Sequence, residues 1–245
     1  MFVLLALVFG VGFVVFGVGG GIPGTSLGDI LHNSSSSSGQ SESDLRDKIA
    51  KNPKDAAAYK QLADVLQQNH KTREAITALQ QYTKLRPKDT TALGTLGALY
   101  ITQGNQFQRQ ANAAQAEFAT ANPGSFLPSL TASTGQPVLT DPITQPTTQD
   151  ASTKFNQASA NAQAAYTGAV NAYKRVTKIT PNDTNSQLQL GSAATTAGDL
   201  PTAIAAYKKV LKLAPTDPIA PKVRQQIKLL QDTLKNRAAV STSGG

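Results

Sequence analysis

The sequence predicts an all-α protein in which short helices pair and the pairs stack in a row. Three observations predict it. Prolines recur 34 residues apart, at Pro53 and Pro87 and again at Pro181 and Pro215. Before each of the later three, small and apolar residues fall at helical spacing. Ala, Gln, Thr and Leu dominate the chain after residue 45, Trp is absent and aromatic residues make up 6%. That composition favours closely packed helices over sheets.

Phe2 to Ile22 contains no charged or polar side chain over 21 residues. A helix of about 20 apolar residues covers the hydrocarbon core of a bilayer, so 1–22 is read as a transmembrane helix. The competing reading is a cleaved signal peptide, which would open on a basic residue and carry a shorter apolar stretch. Within the span only Gly17 and Gly21 form a GxxxG pair, at its end. The first basic residue after the span is Arg46, so nothing positive holds that flank in the cytoplasm. The body is therefore expected outside it. Residues 23–44 read as a flexible Gly/Ser linker with too little apolar surface to fold.

The body proper is expected over 45–237. In its first unit, 56–89, Tyr59, Leu62, Ala63 and Leu66 share one helical face, and Ala75, Leu79, Tyr82 and Pro87 belong to a second helix. The same template returns over 184–217 as Gln187, Leu190, Gly191 and Ala194, then Ala203, Tyr207, Val210 and Pro215. Small residues at Ala63, Gly97 and Gly191 let the two helices of a unit cross closely, and proline ends the second helix because it cannot donate a backbone bond. Pro53-Lys-Asp, Pro87-Lys-Asp, Pro181-Asn-Asp and Pro215-Thr-Asp mark the unit starts. This spacing resembles the tetratricopeptide repeat (TPR) family. The resemblance implies a helical solenoid of about three repeats, bearing a groove lined by the first helix of each.

The middle repeat, 90–183, departs from the family by an insertion over 105–160. Its first helix shows Leu93, Leu96, Gly97 and Tyr100, but its second appears only at Ala169, Tyr173, Val176 and Pro181. Two readings fit. In one, Gly104 is an ordinary turn and 106–121 is a separate second helix ending at Pro123. In the other, which is preferred, both helices are elongated. Phe107, Ala111, Ala114, Phe118 and Ala121 then zip against Phe155, Ala158, Ala162, Ala165 and Ala169. The extensions are of about 17 and 15 residues, adding roughly 25 Å of helix each. The tip, Asn122 to Gln149, is rich in Pro, Thr and Ser with apolar handles such as Phe126 and Leu130. It either packs back on the hairpin or serves as a recognition loop. A capping helix is expected over 218–236, burying Val223, Ile227, Leu230 and Leu234, with 238–245 a disordered tail.

The chemistry of the side chains points away from catalysis. There is no Cys and there are two histidines, His32 and His70, far apart in sequence, so no metal site, disulfide or cofactor is expected. The glycine-rich stretch 17–24 follows an apolar span rather than a strand and is not a phosphate loop. From Leu45 on the chain holds 23 basic and 12 acidic residues, a balance of +11. No nucleic-acid motif accompanies that charge. The partner expected from the resemblance is a protein or peptide. The resemblance places Lys60, Asp64, Gln67 and Gln68 in the groove from the first repeat. The second repeat contributes Gly94, Ala98 and Ile101, and the third Leu188, Ser192 and Thr195. The carboxylate-clamp variant of the family places Asn four residues after such a Lys. Asp64 stands there instead, and the third repeat's groove lacks Lys and Arg, so terminal-carboxylate recognition is not implied. Two functions follow as expectations. One is a non-enzymatic scaffold on the bacterial cell membrane that aids assembly or maturation of envelope proteins. The other is a structural module that self-associates or binds anionic wall polymer or lipid through its basic surface.

Overall fold

The computed structural model describes residues 41–121 and 144–243. Among the described residues there are eight helices and no strand: α1 (Glu42–Lys51), α2 (Ala56–Gln68), α3 (Thr72–Leu85), α4 (Thr90–Ala121), α5 (Thr144–Ile179), α6 (Thr184–Thr196), α7 (Leu200–Leu213) and α8 (Ala220–Ser243). Sequential helices pack on one another along the chain, as expected for a solenoid. No helix among the described residues is long and apolar enough to cross a membrane, and the expected span, Phe2 to Ile22, lies outside them.

Each Pro-x-Asp motif is a stop and a start in one. The helix before it closes with a backbone bond one residue ahead of the proline, as in Arg86 N–H to the Tyr82 carbonyl at 2.8 Å and Ala214 N–H to Val210 at 2.9 Å. The aspartate then caps the next helix, where the first backbone N–H groups have no partner within the helix. Asp55 accepts from Ala58 N–H at 3.0 Å, Asp89 from Ala92 N–H at 2.9 Å and Asp183 from Ser186 N–H at 3.0 Å. Asp217 accepts from Ile219 N–H at 2.9 Å just before α8.

The turns within repeats are equally regular. Asp199 N–H reaches the Ala194 carbonyl at 2.9 Å and Gly198 N–H reaches Thr195 at 3.1 Å, with Gly198 at φ 72°. The α2–α3 turn makes the same two bonds, Lys71 to Leu66 at 2.8 Å and His70 to Gln67 at 3.0 Å. Here His70 holds the left-handed position, at φ 57°. Both are Schellman closures, and only one has the glycine that suits them.

The insertion resolves as the elongated hairpin. α4 is one continuous helix of 32 residues and α5 one of 36, so 105–121 continues the first helix. Its seam steps by four and three: Leu93, Gly97, Tyr100, Gly104, Phe107, Ala111, Ala114 on α4, and Ala151, Phe155, Ala158, Ala162, Ala165, Ala169, Ala172 on α5. Tyrosine rings lie directly on glycines along it. A Cβ at Gly97 would stand 2.7 Å from the Tyr173 ring and one at Gly168 2.8 Å from Tyr100, and Gly104 faces Tyr166 in the same way. Gly191 repeats the arrangement with Tyr207 at 2.6 Å. These contacts let the backbones approach as closely as a ring's thickness allows. The Gly104 penalty of about 1 kcal/mol in a helix interior is thereby offset by packing.

The core falls into two clusters, one running from α1 to α4 and taking in Ala172 of α5, and one from α5 to α8. Tyr100 packs against both, and its hydroxyl is hydrogen-bonded to the Gln80 amide. Arg175 of α5 ties the halves further: its guanidinium donates to the Thr83 carbonyl at 2.9 Å, satisfying the last turn of α3.

Several boundaries differ from the sequence reading. α1 begins at Glu42 behind its cap Ser41, inside the stretch expected as linker up to residue 44. There a capping box starts α1: Asp44 N–H donates to the Ser41 hydroxyl at 3.2 Å, and Ser41 N–H to the Asp44 carboxylate at 3.2 Å. α1 buries Leu45 fully and is pinned by Glu42, which pairs with Arg46 and with Lys71, both at 2.9 Å. α5 begins at Thr144, inside the stretch expected as tip; most of that tip, 122–143, lies outside the described residues. The last helix runs to Ser243 rather than ending at Asn236, because after Pro221 in its first turn neither Gly nor Pro occurs before Gly244. Leu234, expected in its buried stripe, is 40% exposed, since α8 outruns the shorter α7 that it packs against. Phe118 is likewise 40% exposed: the alanine seam is too narrow to enclose a ring so near the tip.

Candidate functional site

The expected groove residues come from α2, α4 and α6, each of which buries its opposite face in the core. Lys60, Asp64, Gln68 and Ser192 are exposed; Gln67, Gly94, Ala98, Ile101, Leu188 and Thr195 are half-buried. Lys60 and Asp64 spend their charges on each other at 3.2 Å along the exposed face of α2, a pairing worth at most about 0.5 kcal/mol. The Gln67 amide donates to the Ala63 carbonyl at 3.3 Å, and the Thr195 hydroxyl to Gly191 at 2.8 Å. Ile101 and Leu188 lean on the α5–α8 core and offer only part of their surface.

Of these ten residues, Gly94 borders a cleft. Thr90, Thr91, Gly94 and Thr95 of α4 form one wall, Ser186 and Gln189 of α6 the other, and Val176, Thr180 and Asp183 the floor between them. A side chain at Gly94 would meet nothing within 4 Å. The lining is mostly hydroxyl and amide. Asp183 is the one carboxylate, and the Ser186 side chain holds its pKa below the ordinary aspartate range, together with the backbone N–H groups it caps. Such a surface can hydrogen-bond a polypeptide backbone and has room for a side chain over Gly94.

Midway along α4 the hairpin extension rises past the α2–α3 turn. It leaves a second, more charged notch among Lys71, Arg73, Glu74, Gln103, Gln106 and Phe107. None of the expected residues lies there.

The sequence reading missed the contribution of α8. Lys222, Gln226 and Leu229 follow Leu188, Ser192 and Thr195 by the same 34 residues that separate the repeats, so α8 continues the row of first helices. Leu229 is 47% exposed, more than any other large apolar residue described, and Lys222 is exposed with no ion pair among the described residues. The signal was present in the spacing after Pro215.

The chain also contains Gly24-Thr25-Ser26-Leu27-Gly28, which matches the Gly-x-Ser-x-Gly spacing of a hydrolase nucleophile turn. It lies outside the described residues. The nearest histidine, His32, is in the same Ser-rich stretch, and no strand-like pattern precedes it.

A tetratricopeptide repeat family model matches residues 60–126 and 154–218, more than half of the chain. Among solved structures, the chain is similar to the TPR domain of P58(IPK), with 14% identity and a TM-score of 0.29 over 83% of this chain and 63% of that one. It thus spans less than two thirds of that domain. It is also similar to YrrB, described as a TPR protein with an unusual peptide-binding site, with 15% identity and a TM-score of 0.24 over 76% of this chain and 100% of that one. No curated protein matches it. The repeat spacing, the eight packed helices and the family match lead to one assignment: the chain belongs to the tetratricopeptide repeat family.

Proposed function

We propose that this chain is a non-enzymatic scaffold of the bacterial cell envelope. In this reading the apolar segment 1–22 tethers it to the membrane, and its body, outside the cytoplasm, holds a protein or peptide partner along the first helices. The partner's assembly or maturation at the membrane is the service it performs. The observation that carries the reading is the cleft at Gly94. A row of first helices with small, hydroxyl-rich side chains leaves open space at Gly94, the one candidate groove position without a side chain. Lys60, Asp64, Gln67 and Gln68 form the near end of the row. Gly94, Ala98, Ile101, Leu188, Ser192 and Thr195 form its middle, and Lys222 and Leu229 its far end.

Photo-crosslinking in native membranes tests it. A photoreactive residue replacing Ser192 should capture a discrete partner, and Gly94→Phe should abolish that capture by filling the cleft. Capture that is indifferent to Gly94→Phe sinks the groove. Recovery of the partner should persist as salt is raised, since a packed groove is screened far less than a surface charge contact. A reporter enzyme fused to the carboxyl terminus reads sidedness, and activity on the cytoplasmic side would overturn the topology.

A further inference from the structure

The second helices of the repeats end on a common edge, and their ends are alike. α3, α5 and α7 close on Lys84-Leu85, Lys178-Ile179 and Lys212-Leu213, each two residues before its proline. α1 closes on Ala50-Lys51, with the lysine itself two residues before the proline. Arg175, three residues before Lys178, reaches the Thr83 carbonyl beside Lys84 at 2.9 Å, so the ends of α3 and α5 lie side by side, and the repeat places the end of α7 one unit further along. Arg86, Lys88 and Lys54 extend it beyond the helix termini. All seven cations are exposed, and none forms an ion pair among the described residues. Four carboxylates nearby, Asp55, Asp89, Asp183 and Asp217, cap the following helices and keep their charge, and the seven cations outnumber them. Over α3, α7 and α5 from Ala162 on, there are eight basic residues and one acidic one, Glu74. Glu74 sits at the far end of α3, bonded to Arg46.

A lysine in the last turn of a helix is accounted for by the negative end of the helix dipole. That leaves two things unexplained: the cations beyond the termini, and the aliphatic side chain beside each lysine. Leu85 and Ile179 are each 37% exposed and Leu213 is half-buried. A soluble polyanion has use for the cations alone. A bilayer interface uses both, taking aliphatic tips into the headgroup boundary while lysines reach the phosphates.

We propose that this edge docks on an anionic lipid surface, with Lys84, Lys178 and Lys212 as the charge contacts and Leu85, Ile179 and Leu213 as shallow insertions. The edge adjoins the cleft at Gly94, whose floor includes Val176, Thr180 and Asp183 on either side of Lys178 and Ile179. The inference does not depend on the apolar segment 1–22 being an anchor, because it is read as a difference between lipid compositions.

The absence of cysteine allows the full chain to be labelled at a single site. An environment-sensitive fluorophore on Ile179→Cys should shift to the blue on vesicles containing phosphatidylglycerol and stay unchanged on phosphatidylcholine. The same label on Ser192→Cys should stay unchanged on both. Each lysine near an anionic surface contributes on the order of a fivefold gain. Lys84→Gln/Lys178→Gln/Lys212→Gln should therefore weaken the anionic-vesicle response about a hundredfold, with the matching Lys→Arg triple restoring it. Circular dichroism of both triples controls for fold. A silent label at 179, equal shifts at 179 and 192, or a blue shift with soluble polyphosphate alone would each overturn the proposal. Sedimentation with neutral vesicles while both labels stay silent would overturn the edge and leave the anchor reading standing.

Discussion

Gly94 and Gly97 lie on the same helix, one turn apart, and the same substitution should have opposite effects at the two. Alanine in place of glycine in a helix interior gains about 1 kcal/mol from backbone entropy. At Gly94 the new methyl meets nothing within 4 Å, so Gly94→Ala should keep that gain. At Gly97 the methyl would stand 2.7 Å from Tyr173 Cε2 and 2.8 Å from Cζ, where no carbon pair can sit. Tyr173 is buried at 7% exposure, so its ring has nowhere to move without shifting α5 against α4. Overpacking of this kind costs about 1–3 kcal/mol, and Gly97→Ala should come out destabilised by about 0–2 kcal/mol. The two variants should therefore differ by about 1–3 kcal/mol. For a body of this size that separates their midpoints by about 2–12 °C. Thermal and urea unfolding followed by circular dichroism measure it. In a Tyr173→Ala background, which removes the ring, Gly97→Ala should turn stabilising. If Gly97→Ala raises the midpoint as much as Gly94→Ala does in the native background, the ring does not rest on that glycine and the close-packed seam is wrong.

Three further outcomes are expected. His70 occupies a left-handed position at φ 57° where the corresponding turn has Gly198; such a conformation costs a non-glycine residue about 1–2 kcal/mol, less the entropy of glycine in the unfolded chain, so His70→Gly should stabilise by about 0.5–1 kcal/mol, read from urea midpoints. The Tyr82 hydroxyl, at 2.6 Å, and the Ala92 N–H hold Asp89 below the ordinary aspartate range, as Ser186 does Asp183. Because the unfolded chain takes up these protons at higher pH, their stabilisation is complete above about pH 4 and fades as pH falls through the lowered folded values; Asp89→Asn with Asp183→Asn should lower stability at neutral pH and flatten the acid limb of a stability-versus-pH curve. Arg175→Leu leaves the Thr83 carbonyl without its guanidinium at 2.9 Å and should cost about 1–3 kcal/mol, with faster amide exchange in the last turn of α3 than elsewhere.

Much of this architecture could be read from the chain because TPR geometry concentrates its demands on a few positions. Pro87, Pro181 and Pro215 terminate helices for a reason local to themselves, and the aspartates after them cap the next helix within three residues. The four-and-three stepping of Phe107, Ala111 and Ala114 likewise announced the long hairpin. What stayed hidden depended on partners distant in sequence. That Tyr100 covers Gly168 while Tyr173 covers Gly97 requires the register of two helices separated by a long tip. α1 escaped notice because its capping box, Ser41 and Asp44, adjoins a serine-rich stretch, and because a single residue, Leu45, carries its burial. Among the candidate groove residues, the sequence marked those on α2, α4 and α6 but treated α8 only as a cover for the last repeat. The spacing from Leu188 to Lys222 and from Thr195 to Leu229 carried the missing information. Reading it required treating a terminal helix as one more unit.

Gly97 and Gly104 are seven residues apart, and so are the rings that cover them, Tyr166 and Tyr173. Because both helices of the arm share that interval, matched steps of seven per helix, about 10 Å each, keep the register as its height changes. Any other increment rotates one helix's small residues out from under the other's. The projecting arm therefore behaves like a ladder of fixed rungs: lineages could lengthen or shorten it without disturbing the helices at its foot, and relatives should differ there by whole rungs.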